Sequence, residues 1–490
     1  MPHIIVSRTG DGRLTASGDF VCALGHRLPG RRGLADGIYA GWSWTGTELR
    51  LETDRYGVFP LFTSTSANRC IVASDLTLML DGGVAATLDY DALSVFLRLG
   101  YFVGDDTPFE AIRVVPPVAA LRWSASGPDI TSGYPGPAAT LDVTRDEAID
   151  AFLARVNEAV AGRLSRAPFT LPLAGDCASR HILFALVAAR CAPEACVTVE
   201  NLSPAVYGDV AVAAALCSRL GIPHVKVPHL GDRCRVEREK NRRTHFCAEQ
   251  HSQFIALTDH LRDVTAVTYH GIGGDLVQGS YQNADVRALC ERGDEAAVAL
   301  YLLDACGTAV AEDALAQLLS PDLLRQVPRE RAIARLSREI QNHLEAPDPL
   351  SSFLFWNRTR REVAMWPYAL MRDIAVYAPF LDPDVFDVLA ALPLAISMDG
   401  TFHKDAISRA YPRMADVPYG PTCHPTTRRA WQRRMARDVV RDILHAPALR
   451  TGALVPGAVA TVLDGDGDRM WYAPLAVYLA QLGGLAHRNR

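Results

Sequence analysis

The hydrophobic pattern of this chain changes character once, at the Pro/Gly/Ala stretch Gly133–Thr140. Before it, short runs such as Gly37–Trp44, Glu48–Thr53, Val58–Thr63 and Cys70–Ser74 alternate or cluster apolar residues. Turn signals such as Thr45-Gly46 and Asp81-Gly82-Gly83 separate them. No long helical pattern appears until Tyr90–Gly100, so an antiparallel, sandwich-like domain is expected. After the stretch, Asp146–Leu164 places Ile149, Phe152, Leu153, Val156 and Val160 on one helical stripe. Strand-like runs at Phe169–Leu173, Cys196–Glu200, His224–Pro228 and Val264–Tyr269 follow, with helical patterns at Ser179–Cys191 and Asp209–Leu220 between them. That alternation predicts a doubly wound parallel sheet, and the chain from about Asp285 reads as mostly helical. A chain of 490 residues is too long for one core. Two domains are therefore expected, 1–132 and 144–490, joined by a linker at 133–143.

The remaining bulk properties mainly exclude. A formal charge of −5 gives no electrostatic reason to expect nucleic acid, and the Arg-rich stretch Arg428–Arg437 reads as one solvated helix face. The eleven cysteines run from Cys22 to Cys423 without paired spacing, Cys191 and Cys196 being the closest two. A reduced, cytoplasmic chain without structural zinc is expected. Met1–Arg13 lacks the apolar core of a signal peptide, and nowhere do 18 apolar residues run without charge, so no membrane association is expected.

Two loops are placed to carry chemistry. Leu173–His181 lies between the first strand of the second region and its helix, where open α/β sheets bind ligands and helix N–H groups face anions. A glycine there, Gly175, lets the backbone approach a phosphate closely. The segment is not a Walker loop, and a plain strand-to-helix turn explains it equally well by itself. Gly271-Ile272-Gly273-Gly274-Asp275 is a second glycine-rich turn at a strand end, closed by a carboxylate, and it suits diphosphate with a magnesium ion.

With these motifs in place, the chain resembles the asparagine synthetase family. Leu173–His181 is similar to its pyrophosphate loop, S-G-G-x-D-S, and Gly271–Asp275 to its G-x-G-G-D segment. Gly208-Asp209 and Leu220-Gly221-Ile222-Pro223-His224 resemble the next helix and strand. Ala378-Pro379-Phe380-Leu381-Asp382 looks like the family's P-F-L-D segment, and Lys404 falls at its motif lysine. In the first region Gly37–Ala40, Asp54–Leu61, Ala73-Ser74-Asp75, Pro108–Ile112 and Val115-Pro116-Pro117 resemble the family's amidotransferase domain.

The resemblance implies an amidotransferase-like N-terminal sandwich and a C-terminal PP-loop synthetase-like domain. It implies ATP and magnesium as cofactors, with adenylation of a carboxylate and attack by an amine. Gly175, Asp176, Ser179, Arg180, Gly273, Gly274 and Asp275 would then hold the nucleotide, and Asp275 and Asp176 the metal. Lys404 would stabilise charge at the acyl-adenylate, and Glu362 would orient or deprotonate the amine. A surface lysine and an ion pair with a neighbouring arginine are the plainer readings of these last two. A homodimer would follow the habit of relatives, and the substrate would be a small carboxylic acid or peptide.

The departures are as informative. The family's nucleophilic cysteine stands at position 2, where this chain has Pro2, so no glutaminase activity is expected. In the loop, Ala174, Asp176 and Ala178 replace a hydroxyl, a glycine and a magnesium-binding carboxylate. Losing a metal ligand costs the pyrophosphate-leaving step kilocalories. Ile272 stands where relatives place a polar group. Cys177, at a helix start with His181 one turn on, has the placement of a nucleophile as well as of a buried filler. Three readings remain open: an ATP-dependent amide synthetase or cyclase of specialised metabolism; an enzyme that no longer uses ATP and performs cyclisation or acyl transfer; a non-catalytic homologue.

Overall fold

The computed structural model describes residues 1–30, 36–200, 209–228, 230, 232–276, 282–307, 312–419, 455 and 472–488. Gly208, Cys423 and Arg428–Arg437 lie outside the described residues. The first region holds two five-stranded antiparallel sheets. One runs β2 (Leu14–Gly18), β1 (His3–Arg8), β7 (Arg69–Ala73), β6 (Phe62–Thr65), β8 (Arg113–Val114). The other runs β10 (Gly127–Thr131), β9 (Ala120–Ser124), β5 (Glu48–Thr53), β4 (Asp36–Trp44), β3 (Val21–Leu28). Alternate residues of both sheets, among them Ile4, Val72, Trp42, Leu51 and Trp123, meet in one buried cluster, as period-two patterning requires. Helices α1 (Leu76–Asp81) and α2 (Tyr90–Leu99) pack on the first sheet's other face through Phe62, Ile71 and Ala73. The strand expected at Val58–Thr63 begins only at Phe62, because Asp54 draws the chain into a turn by accepting bonds from the Tyr56 and Gly57 amides.

Helix α3 (Arg145–Ala161) opens the second region with a capping box between Thr144 and Glu147. A parallel sheet then forms from β11 (Thr170–Pro172), β12 (Ala195–Val199) and β13 (His224–Val227), with α4 (Cys177–Ala188) and α5 (Asp209–Leu220) as crossovers. Strands β14 (Val267–Tyr269) and β15 (Ala375–Tyr377) pair in parallel. Side-chain bonds link β14 to β11: Thr268 Oγ1 donates to the Thr170 carbonyl at 2.8 Å. The three-stranded sheet β11-β12-β13 and the two-stranded sheet β14-β15 thus lie side by side, β11 next to β14, with a crevice at their strand ends. Among the described residues the rest is mostly helical, as expected, including Tyr472–Arg488 against α2.

The linker does not separate two independent cores. Tyr56 and Phe59 of the first region share a buried cluster with Phe355, Trp356 and Tyr368 of the second. Arg163, just past α3, bridges the two with its Nη atoms 2.6 Å from Asp36 and 2.7 Å from Asp382, all three side chains buried. Removing one partner of such a pair strands buried charge, at a cost of about 3–5 kcal/mol. Arg163→Leu should lower stability by about that amount. Both regions should still unfold together in a denaturant titration followed by circular dichroism and tryptophan fluorescence; two separated transitions in the parent protein would show that the regions are independent.

Candidate functional site

A cavity of about 340 Å³ opens in the crevice between β11 and β14. Its walls come from the ends of β11, β12 and β14, and from a wide-turn helical stretch, Leu354–Val363 continued at Trp366–Leu370. That stretch is π-helical, closing with the Ala364 amide on the Thr359 carbonyl at 2.9 Å. Such widened turns shift side chains out of the regular helical register and recur at functional sites. Here the shift brings Val363 and Trp366 to the cavity wall. Trp366 stacks on Phe254 with ring centroids 3.9 Å apart and receives the edge of His270 at 4.7 Å.

The polar groups are carboxylates and imidazoles. Asp176 begins α4 and Asp209 begins α5, each favoured by the positive end of its helix. Asp275 closes the glycine-rich turn, deep in the fold but reached by water through the cavity. Burial raises Asp209 to about 6, opposed by a bond from the Gly175 amide and aided by the Asp176 charge. Asp275 is raised too, by burial first, against the pull of Arg358 and a bond from Thr359 Oγ1 at 3.3 Å. His251 is held by a 2.8 Å bond between Nε2 and the Glu362 carbonyl, which fixes Nε2 as the donor. His270 Nδ1 accepts from the Ile272 amide at 3.0 Å, so its proton sits on Nε2. Burial pushes His251 to about 4 and His270 to about 3, so both rings are neutral.

The anticipated nucleotide loop is occupied by the chain itself. Asp176 Oδ1 accepts from the Ser179 amide at 2.8 Å and from its hydroxyl at 2.7 Å. Asp209 Oδ1 accepts from the Gly175 amide at 2.9 Å. The donors a diphosphate would use therefore already hold carboxylates. Arg180, expected at a phosphate, is buried with its guanidinium on the Val417 and Pro418 carbonyls at 2.8 and 2.7 Å, over the Tyr419 ring. Lys404 is exposed and also lies over Tyr419, 5.2 Å from the ring centroid, and does not line the cavity. Gly273 and Gly274 serve packing. Gly273 has φ +90°, and a Cβ there would stand 2.9 Å from the Leu381 side chain; at Gly274 it would stand 3.0 Å from Ala178 Cβ. Ala178 presents its methyl group to this turn, where the family pattern has a carboxylate. Among the described residues no group of three His, Cys, Asp or Glu is arranged to hold a metal ion. Asp176 and Asp275, expected as metal ligands, therefore belong to no such group.

The other expectations fare unevenly. Cys177 is buried and its thiol pushed up to about 11 by burial and Asp176. His181 pairs with His403, Nδ1 to Nε2 at 3.0 Å, and not with Cys177. The nucleophile reading of Cys177 therefore has no base to rest on. Glu362 is buried, lies 3.7 Å from Arg358, and reaches the cavity only through its carbonyl on His251. Burial raises it to about 8. Ile272 is buried in the wall, as an apolar residue at that position should be. His251, Phe254, His270 and Trp366 carried no sequence signal apart from the adjacency of His270 to the glycine-rich turn.

A profile of the glutamine amidotransferase domain matches residues 32–134. The first region is thus similar to glutamine amidotransferase domains, and the class so defined covers that region alone. No curated protein matches the chain. In that domain Pro2 carries no nucleophile; its carbonyl is held by the Ser74 amide at 3.1 Å. Cys22 and Cys70 are pushed up to about 11 and 12, burial being the main cause, so neither is a ready thiolate. No described helix is long and apolar enough to cross a membrane.

Two outcomes follow. Iodoacetamide at mildly alkaline pH should leave Cys177 unmodified in the native protein and label it after unfolding, read by mass spectrometry. Glu362 titrates near 8 folded and about 4 unfolded. Its protonated form is the one folding favours, so the parent protein loses stability as pH rises from about 4 through about 8. Glu362→Gln should escape that loss, and its advantage in denaturant midpoint should grow over this range and then level off.

Proposed function

We propose that this chain is a synthetase-derived protein that encloses a small organic molecule at the strand ends and does not adenylate it. The observation that carries the reading is the occupation of the Gly175 and Ser179 donors by Asp209 and Asp176. An ATP diphosphate brought there meets two carboxylates in place of free amides, and the cation that would screen them lacks the Ala178 carboxylate. ATP and magnesium therefore do not fit the loop as built. The N-terminal domain contributes structure and no glutaminase chemistry, since Pro2 is not a nucleophile and neither nearby thiol is activated.

For the reaction, cyclisation fits this cavity better than acyl transfer. Acyl transfer through Cys177 needs a thiolate, and burial works against one. Apolar walls and neutral imidazoles suit holding a flexible substrate folded on itself, a contribution that rests on orientation. An ATP-dependent amide ligase is the second reading, supported by Asp275 at the end of the glycine-rich turn and by the order of the motifs.

Calorimetric titration with ATP, with and without magnesium, and ATP–pyrophosphate exchange test the proposal. No nucleotide binding and no exchange are expected. Tight, magnesium-dependent ATP binding would favour the ligase and sink the first reading.

A further inference from the structure

We propose that the cavity takes an apolar amine in its protonated form. The inference rests on the preceding reading, because it assigns to a cation the place a triphosphate would need. The ends of β11, β12 and β14 lead to one carboxylate each, Asp176, Asp209 and Asp275, and all three line the cavity. Among the described residues no Lys or Arg lines it. Segments 201–208 and 277–281, which adjoin Asp209 and Asp275 in sequence, contain neither residue type. Arg358 stands near Asp275 and offsets part of that charge. Asp176 and Asp209 accept hydrogen bonds from neutral groups, the Ser179 amide and hydroxyl for one and the Gly175 amide for the other, and Arg180 offsets part of the Asp176 charge. Those bonds all fall on Oδ1, and a carboxylate has acceptor capacity on both oxygens.

The opposite walls decide what kind of cation belongs here. Phe254, Leu257, Ile272 and Trp366 are apolar or aromatic, and about 340 Å³ is near the lower end of the range for small-molecule sites. A bare metal ion would leave that surface unused, and the described acids do not converge in the manner a metal requires. An anion would face like charge in a partly desolvated site, where Coulomb terms exceed those in water. A neutral apolar molecule would strip water from the carboxylates and return nothing to them. A protonated amine on an apolar body answers both halves of the lining. His251 adds an independent sign. With Nε2 donating to the Glu362 carbonyl, its Nδ1 is an acceptor; that atom is buried and finds no partner in the protein. The second oxygens of Asp176 and Asp209 are acceptors too, and an ammonium group supplies donors to them, while Trp366 Nε1 is an unpartnered donor on the aromatic wall.

The test uses the full chain at neutral pH and two matched series: tryptamine, tryptophol and indole-3-acetate, then hexylamine, hexanol and hexanoate. Calorimetry should find each amine bound at least about tenfold more tightly than its neutral counterpart, with the carboxylates weakest. Asp209→Asn and Asp275→Asn, checked for folding by circular dichroism, should each cut amine affinity by about tenfold while leaving tryptophol binding in place. Equal binding across a series, preference for the acids, or no binding of either amine would overturn the proposal. ATP run in parallel separates the two readings. ATP that binds and displaces the amine sinks the non-adenylating reading, whereas amine selectivity that fails without any ATP binding sinks only this one.

Discussion

Two adjacent guanidinium groups, Arg360 and Arg361, hold the molecule together. Both are buried. Arg360 donates to the carbonyls of Gly57, Gly104 and Val115 at 3.2, 3.1 and 3.0 Å. Arg361 donates to Gly104 and, at 2.6 Å, to Asp106. Buried carbonyls of an irregular chain must find donors somewhere. Here the first region's loops find them on one helix of the second. Arginine suits the task because its donors form a rigid fork and its charge does not titrate away. Because that same helix is π-wound, it also turns Thr359 to Asp275, the Glu362 carbonyl to His251, and Val363 and Trp366 to the cavity. The contact between the regions and the shape of the site are one constraint.

The strand-end loops then use charge in an inverted way. Helix starts at α4 and α5 attract anions, and the chain answers with its own Asp176 and Asp209. The gain is local: a capped α4 and a satisfied Gly175 amide. The consequence is that the strand ends present carboxylates to the cavity. Ala178 packs its methyl group against Gly271 and Gly274, so the two loops close directly on each other.

Much of the architecture was legible beforehand. The β4, β5 and β7 runs, the α2 and α5 helices and the strands around the crevice follow from periodicity, because side chains that share a buried face must recur at the element's own repeat. Short flanking strands such as β2 and β10 were missed, being mostly exposed and thus without an apolar pattern. The strand expected at Val58–Thr63 failed because the Asp54 turn imposes a local hydrogen-bond pattern that composition does not display. The site was legible only in part. Asp275 was named from the glycine-rich turn it closes, and Asp176 and Ser179 from the resemblance of their loop to S-G-G-x-D-S, yet Arg180 and Lys404 were drawn to Tyr419, a residue more than 200 positions from Arg180 in sequence.

Sequence alone determined the change of periodicity at Gly133–Thr140 and the two glycine-bearing loops at strand ends. These are properties of residue type and spacing, which need no partner from elsewhere in the chain. Tertiary structure decided what those residues do. That Asp209 fills the Gly175 amide, that Arg180 clamps Val417 and Pro418, and that Phe254, Trp366, His251 and His270 share one wall are consequences of approach across long stretches of chain. Such contacts depend on where strands end in space, and a one-dimensional pattern carries no record of that distance.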